Sequence, residues 1–520
     1  MLVPFLLCAC LAATATCMSA LVKPLSGSLL IKRRTNARTR SINRQHSNAF
    51  TLIDSTPLAN YNLGMETRHM KHEKSGAEYF HILSSDNAKK EKTLSLVFKT
   101  PVTDLTGMSN CVQKMVLRVK DRRCTLPIRN EIQAVTRADH TKFTIQAEYP
   151  DEYNELRDKL LKSCFQPELG HQNFRTNVWR MDVDRCLAGR AYSDAKHYRI
   201  NTVDPRIHLN RAFFKGSLYE HNPLGSHFQI PFVKPADVEY YQRKYYRPEN
   251  ALFIGVGDEK LMQSNLDFLD NRLSQMQTDY KMAYETAKDW KTDNKITFPH
   301  HVTILTGPEH LDSICVAWKT SIDRNNCDYA KLALLDHLIF SHGLGILRNS
   351  FKVNPTAILS LMRHHIDDGP QKLFGVQIIG TQVNDDQILQ MIDDSLRRII
   401  KQGLAKHGPV FYYPHAQAFI NLRRASDLVS HVADDWAKLL PLTTTLSYYD
   451  HVLMKTAKET QSEEYAELIK TLLIDNPNCM VIRFKPDPHN RIKLDQIERE
   501  FITKHYDYLE ETDWRHERNL

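Results

Sequence analysis

The chain has 520 residues, enough for two or three domains with a sizeable core, and its 42% hydrophobic and 25% charged residues are ordinary for a soluble globular protein. A net charge of +8 would suit a nucleic-acid partner if it were spread along the chain. Instead Lys23, Lys32, Arg33, Arg34, Arg38, Arg40 and Arg44 lie before the first acid, Asp54, which leaves about +1 for everything after residue 53 and excludes an electrostatic footprint for DNA or RNA.

That basic start reads as a leader in two parts. Leu2 to Cys17 is almost wholly apolar but too short to span a bilayer. Met18-Ser19-Ala20 offers small residues for cleavage, so residues 1–20 read as a signal peptide into the secretory pathway, and no membrane span is expected in the mature form. Residues 21–60 are rich in Ser, Thr, Asn and Arg. Two readings stay open for them: a transit-like segment leading onward to a plastid of secondary origin, or a disordered basic leader on a protein that is secreted or kept in an endomembrane lumen. Three cysteines leave with the signal. The seven that remain (Cys111, Cys124, Cys164, Cys186, Cys315, Cys327 and Cys479) are odd in number, widely spaced and without a Cys-x-x-Cys pair, so buried free thiols are expected rather than disulfides or a thiolate zinc site.

The folded part is expected from about residue 65. Glu78 to Leu83 and Thr93 to Thr100 read as strands on either side of a polar turn. Met108, Cys111, Val112, Met115, Val116 and Val119 recur at steps of three and four, one apolar stripe of a helix that Asp104 or Thr106 would cap. Glu152 to Cys164 reads as a second helix. Lys234-Pro235 opens a third, which ends at Arg247-Pro248-Glu249-Asn250 before the strand Ala251 to Val256. After a polar linker the parts recur. Ser313 to Trp318 and Leu373 to Gly380 read as strands, and Tyr329 to Phe340 as an apolar helix. Asn384 caps a long amphipathic helix, and Asn476-Pro477-Asn478 leads into the strand Met480 to Phe484. Each half closes on a helix, a Pro-containing turn and an apolar strand, which hints at an internal repeat of roughly 230 residues. The fold class this implies is α+β, with mainly antiparallel sheets covered by helices.

Several segments resemble, in order, the presequence-protease branch of the insulinase/pitrilysin zinc metallopeptidases. They are His72-Glu73-Lys74-Ser75-Gly76-Ala77-Glu78, Val97 to Pro101 with Asp104-Leu105-Thr106-Gly107, Tyr219 to Gly225, Tyr241 to Asp258, Leu334-Leu335-Asp336-His337-Leu338, and Asn476 to Pro488. The resemblance covers residues 70 to about 490 and corresponds to the N-terminal half of that branch. It implies two insulinase-type α/β roll domains, at 65–290 and 295–488, with residues 489–520 as the start of a truncated helical linker to a second half.

The resemblance also implies a site. The family carries an inverted His-x-x-Glu-His on the helix after the second strand, in which two imidazoles bind zinc and the Glu is general base to the metal-bound water. An acid ahead of a Lys-Gly pair completes the ligand set. This sequence has Asn110-Cys111-Val112-Gln113-Lys114 there, so the ligand positions are Asn110 and Lys114 and the general-base position is Gln113. Asn210 to Phe214, ahead of Lys215-Gly216, holds no carboxylate. An amide cannot act as a general base, and an ammonium repels a cation. No catalytic residue, metal ligand or cofactor is therefore expected at the family site. The leading expectation is a catalytically inactive homologue that binds extended peptides, or that pairs with a related active subunit or a second copy of itself. Two alternatives stand beside it. One is an active zinc metalloendopeptidase with relocated ligands, for which His337, His342 and His364 are the candidates. The other is a structural or scaffold protein.

Overall fold

The computed structural model describes residues 49–58, 65–83, 92–102, 107–116, 132–165, 205–226, 235–276, 300–306, 310–323, 328–340, 360–363, 371–379, 384–402, 425–438 and 462–490, with isolated residues between and after them. The first half contains strands β1 (Phe50–Leu58), β2 (Met65–His72), β3 (Glu78–Leu83) and β4 (Lys92–Lys99), then helix α1 (Met108–Val116). Strands β5 (Ile132–Thr136) and β6 (His140–Ala147) follow, then α2 (Pro150–Phe165), α3 (Arg206–Phe213), α4 (Pro235–Tyr245), β7 (Ala251–Gly257) and α5 (Glu259–Leu273). The second half contains β8 (His301–Thr306), β9 (Ser313–Asp323), α6 (Asp328–Phe340), β10 (Ser360–Arg363) and β11 (Gln371–Ile379). It closes with α7 (Asp385–Gln402), α8 (Ala425–Ala437), α9 (Ser462–Ile469) and β12 (Cys479–Pro486).

The strands form a seven-stranded sheet in the order β1-β2-β3-β7-β4-β6-β5 and a five-stranded sheet in the order β10-β11-β9-β12-β8. In each half the last strand enters between the first two strands of the repeat. Strand β7 runs parallel to β3 and antiparallel to β4, just as β12 runs parallel to β8 and antiparallel to β9. The remaining ladders are antiparallel, which gives the α+β architecture of sheets flanked by helices. Two asparagines repeat the same local solution. Asn250 Nδ2 donates to Tyr245 O at the end of α4 (2.7 Å) and to Lys99 O at the end of β4 (2.9 Å). Asn476 Nδ2 donates to Leu472 O and to Lys319 O on β9, both at 2.9 Å. Each side chain satisfies a helix-end carbonyl and fixes where the closing strand enters the sheet.

The central strands are apolar on both sides, because both faces of both sheets are covered. Phe80, Ile82, Val97, Leu252 and Ile254 face one way, toward Leu428, Val429, Val432 and Trp436 on α8. Tyr79, Leu94, Leu96, Phe98 and Phe253 face the other way, into a core with α2, α4 and α5. In the second sheet Ile314, Val316 and Trp318 pack with α6, α7 and α9, while Cys315 and Ala317 pack against Phe213, Phe214 and Tyr219 of the first half. The halves therefore exchange elements: α8 covers the first sheet, and α3 with the turn after it covers the second. All these residues lie in one unit, His46–Leu520.

Three differences from the sequence reading have physical causes. Strand β1 lies inside the segment read as leader (21–60) and ahead of the expected start near 65. It is an edge strand with a register shift between Leu52 and Asp54, and Leu52 and Ile53 point to solvent, so it lacks an apolar alternation. Strands β3 and β4 are not neighbours, since β7 lies between them, a long-range choice that no local pattern encodes. Asn384 does cap α7, its Oδ1 accepting from Gln387 N at 2.8 Å, while Asp258, for which the sequence reading names no cap, caps α5 by accepting from Leu261 N at 2.8 Å. The proposed caps Asp104 and Thr106 lie outside the described residues.

Candidate functional site

Helix α1 carries Asn110, Gln113 and Lys114, where the resemblance expects the zinc motif, and Gly107 sets where the helix begins. Its carbonyl accepts the first helical bond, from Cys111 N (3.0 Å), and its φ is +65°. A Cβ at residue 107 would lie 2.6 Å from Leu224 O and 2.8 Å from the Gly225 Cα, so the Tyr219–Gly225 loop touches the helix start. The Ser109 and Tyr241 hydroxyls share a bond of 2.6 Å, and Tyr241 also donates to Pro101 O at 3.1 Å, which ties α1 to α4 and to the end of β4. Cys111, Val112 and Val116 are buried, as the apolar stripe requires, and Cys111, Cys164, Cys315 and Cys479 are free thiols.

The opposite face of α1 is buried too. Asn110 is 2% exposed and Gln113 is 5% exposed, and Lys114 is half-buried beside them. The Nδ2 of Asn110 is a fully buried donor without a hydrogen-bond partner. Two carboxamides and an ammonium are not a zinc donor set, which calls for imidazole, thiolate or carboxylate, so these residues do not fit the metal that the family site holds. Among the described residues no cluster of three or more His, Cys, Asp or Glu side chains could hold a metal ion.

The segment ahead of Lys215-Gly216, where the resemblance expects the remaining ligand, is core. On and after α3, Phe213 and Phe214 are 1% and 0% exposed and Tyr219 is 1% exposed, all packed against the second sheet. Lys319 on β9 donates from Nζ to Phe213 O at 2.8 Å, a cation at the C-terminal end of α3, where the helix dipole favours it. The nearest acid, Glu220, turns back to accept from Gly216 N at 2.6 Å. Of the relocated-ligand candidates, His337 lies on α6 with its side chain outside the description, and His342 and His364 lie outside the described residues.

A polar cluster that sequence reasoning missed joins these parts. Asp139, at the β5–β6 turn, accepts from His140 Nδ1 (2.7 Å) and from the Tyr219 hydroxyl (2.8 Å), and pairs with Lys438 Nζ (3.1 Å) just past α8. The other ring nitrogen of His140 faces Asp434 of α8 at 3.4 Å. Burial alone would raise the Asp139 carboxyl, but Lys438, His140 and Tyr219 outweigh it and hold the group well below the usual carboxylate range. Nearby, Lys99 on β4 stands 4.1 Å from the Trp436 ring centre, and burial pushes its amine down to about 8 against the opposing pull of Glu78. Members this far apart in the chain leave no spacing for a sequence pattern to find.

The remaining feature beside α1 is a sheet edge. Helix α1 packs against β5, and β5 ends the seven-stranded sheet with alternate side chains outward and Val135 42% exposed. Among the described residues no strand pairs with the outer side of β5, and such an edge presents backbone groups that an added strand can meet.

Comparison with known proteins agrees with this architecture. The family profile for the Peptidase M16 inactive domain matches residues 233–407. Presequence protease 1, chloroplastic/mitochondrial, of Arabidopsis thaliana is 21% identical over 471 residues, which is 84% of this chain but 43% of that protein. The chain thus spans less than half the length of this curated relative. A protease from Helicobacter pylori superposes with a TM-score of 0.64 at 13% identity, covering 79% of this chain and 98% of that one. A peptidase M16 inactive domain from Pseudomonas fluorescens gives 0.61 at 14% identity, covering 81% and 98%. Motifs, matched domain and fold agree: the chain is similar to the presequence proteases and has the fold of M16 peptidase domains.

Proposed function

We propose that this protein is a non-catalytic M16 homologue that holds extended peptides, alone or together with a related subunit. The observation that carries the proposal is the state of α1. The helix keeps its place, its glycine start and its contact with the edge strand β5, while the ligand and general-base positions hold Asn110, Lys114 and Gln113. Zinc-dependent hydrolysis by the family route would need a carboxylate at 113 to take a proton from bound water, and an amide has no such capacity. An edge strand, by contrast, binds an extended chain through backbone hydrogen bonds and needs no metal. The leader supports delivery through the secretory pathway as part of the same proposal.

The test is fluorescence anisotropy with labelled, unstructured basic peptides of about twelve residues, long enough to pair along a whole strand. The proposal expects saturable binding that a chelator leaves unchanged, with the peptide recovered intact. Absence of binding by every peptide, together with absence of a related co-purifying subunit, would overturn it.

A further inference from the structure

On the face of the first sheet that α8 covers, opposite the core that holds α1, Lys99 and Glu78 stand together under Trp436. Glu78 pairs with Leu252 on β7, and Leu252 pairs with Val97 on β4, two residues before Lys99. Laterally paired residues, and residues two apart on a strand, share a face, so both side chains project toward α8. The Trp436 ring centre lies 4.1 Å from Lys99 Nζ, and its indole N–H donates to Glu78. The place is open to solvent: Lys99 is partly exposed, and 26% of the Glu78 side chain is accessible. Burial pushes the Lys99 amine down to about 8 against the pull of Glu78. Burial alone would raise Glu78, but His69 at 2.8 Å, the Trp436 N–H and Lys99 hold it below the usual carboxylate range. The elements packed here also carry His140 on β6, in register with Lys99, and Asp434, Asp435 and Lys438 on or just past α8, yet Glu78 is the charge that acts on the amine.

We propose that Lys99 is a nucleophilic amine that captures a small aldehyde as an imine, with Trp436 as the apolar wall of the site and Glu78 as its proton relay. The site is separate from α1 and does not depend on peptide binding. An amine held partly out of water against an aromatic ring keeps its lone pair available at neutral pH, which an ordinary surface lysine does not. The reaction goes from ammonium and aldehyde to iminium and water, with charge conserved. Glu78 takes one proton from the ammonium, the nitrogen lone pair forms the C–N bond, and the carbonyl π pair moves to oxygen. That oxygen collects two of the three nitrogen protons, by way of Glu78, and departs as water. The iminium keeps the third proton and the positive charge, so the attractions of the Trp436 ring and the Glu78 carboxylate carry over to the product. No metal, oxidant or second reactant is needed. Trp436 is 5% exposed, so the space beside the amine suits a small aldehyde and not a long chain.

The experiment treats the full chain with propanal at pH 7, reduces the imines with borohydride, and measures the N-propyl group at each lysine by peptide-mapping mass spectrometry. The exposed Lys74 and Lys260 serve as internal references. At pH 7 an amine that loses its proton near 8 is neutral about 300 times as often as one that loses it near 10.5. Its lower basicity takes back part of that gain, so Lys99 should be labelled at least about tenfold faster than the references. That lead should vanish in urea sufficient to unfold the chain. Labelling of Lys99 no faster than that of Lys74 in the folded protein would overturn the proposal, and so would a lead that persists in urea, because it would then owe nothing to the fold. Lys99→Arg keeps a cation beside Trp436 and should lose the leading adduct with little change in melting temperature. If that variant unfolds, the wild-type comparison in the presence and absence of urea still decides. Glu78→Gln is compared at pH 9, where the amine is mostly neutral with or without the carboxylate, and should form the adduct at least about tenfold more slowly. An unchanged rate there would overturn the relay assigned to Glu78.

Discussion

Truncating Phe214 to alanine tests whether the segment ahead of Lys215-Gly216 now serves as core between the halves. The ring is fully buried, lies 6.0 Å from the Tyr219 ring centre to centre, and has Lys319 Nζ 5.3 Å from its centroid. A buried phenylalanine removes about 150–250 Å² from water, which at about 25 cal/mol per Å² sets an upper bound near 4–6 kcal/mol. Measured phenylalanine-to-alanine changes in cores cost about 3–5 kcal/mol once the cavity is included, and Phe214→Ala is expected in that range. Phe214→Leu should cost less than half as much. Tyr240→Ala, at a site 62% exposed, serves as control and should change stability by no more than about 0.5 kcal/mol. Urea unfolding followed by circular dichroism gives the midpoints and slopes. A loss below about 1 kcal/mol for Phe214→Ala, with an unchanged slope, would refute the assignment of this segment to the core.

Four further outcomes follow from the same structure. Gly107→Ala meets Leu224 O at 2.6 Å and needs a positive φ, so it should destabilise by about 1–3 kcal/mol in thermal melts, whereas Gly216→Ala, with open space around it, should bear only the backbone strain. Removing one partner of the buried Asp139–Lys438 pair by Lys438→Ala should cost about 3–5 kcal/mol, and Asp139→Leu combined with Lys438→Met should recover much of it, measured by urea unfolding. His81 accepts a hydrogen bond from the Tyr79 hydroxyl at Nδ1 (2.7 Å), donates from Nε2 to Gly257 O (3.2 Å), and is pushed by burial down to about 4. The unfolded chain protonates this ring near pH 6.5 and the folded chain only near 4, so stability falls as pH drops through that window, by about 3 kcal/mol in total. His81→Gln should remove that part of the pH slope. Gly255→Ala would bring a Cβ within 2.5 Å of the Tyr79 hydroxyl and 2.6 Å of His81 Nδ1, and should lower the melting temperature by breaking the same network.

Much of the fold was legible because the strongest local signals coincide with the elements that carry it. The stripe of Cys111, Val112 and Val116 announced α1, Pro235 and Asn384 marked helix starts, and the Asn250 and Asn476 turns marked the entry of each closing strand. The pairing of those strands was not legible. Strand β7 joins β3 and β4 across more than 150 residues, and nothing in Ala251–Gly257 names its neighbours. At the site, the resemblance names Asn110, Gln113 and Lys114, but their surroundings are not legible in the sequence. Periodicity places the three opposite the apolar stripe and says nothing of what covers them. In the structure that face is buried as well, because α1 lies between α4 and β5. The Asp139–His140–Tyr219–Lys438 cluster was invisible for a related reason: its charges look like ordinary surface residues until two distant halves bring them together.

The most direct test of the central claim is metal content by mass spectrometry on purified protein, with a fluorogenic peptide assay on the same sample. The account predicts zinc well below one per chain and no chelator-sensitive cleavage. One zinc per chain with cleavage that a chelator abolishes would contradict it, and would mean that a hydrolytic site had been rebuilt away from Asn110, Gln113 and Lys114.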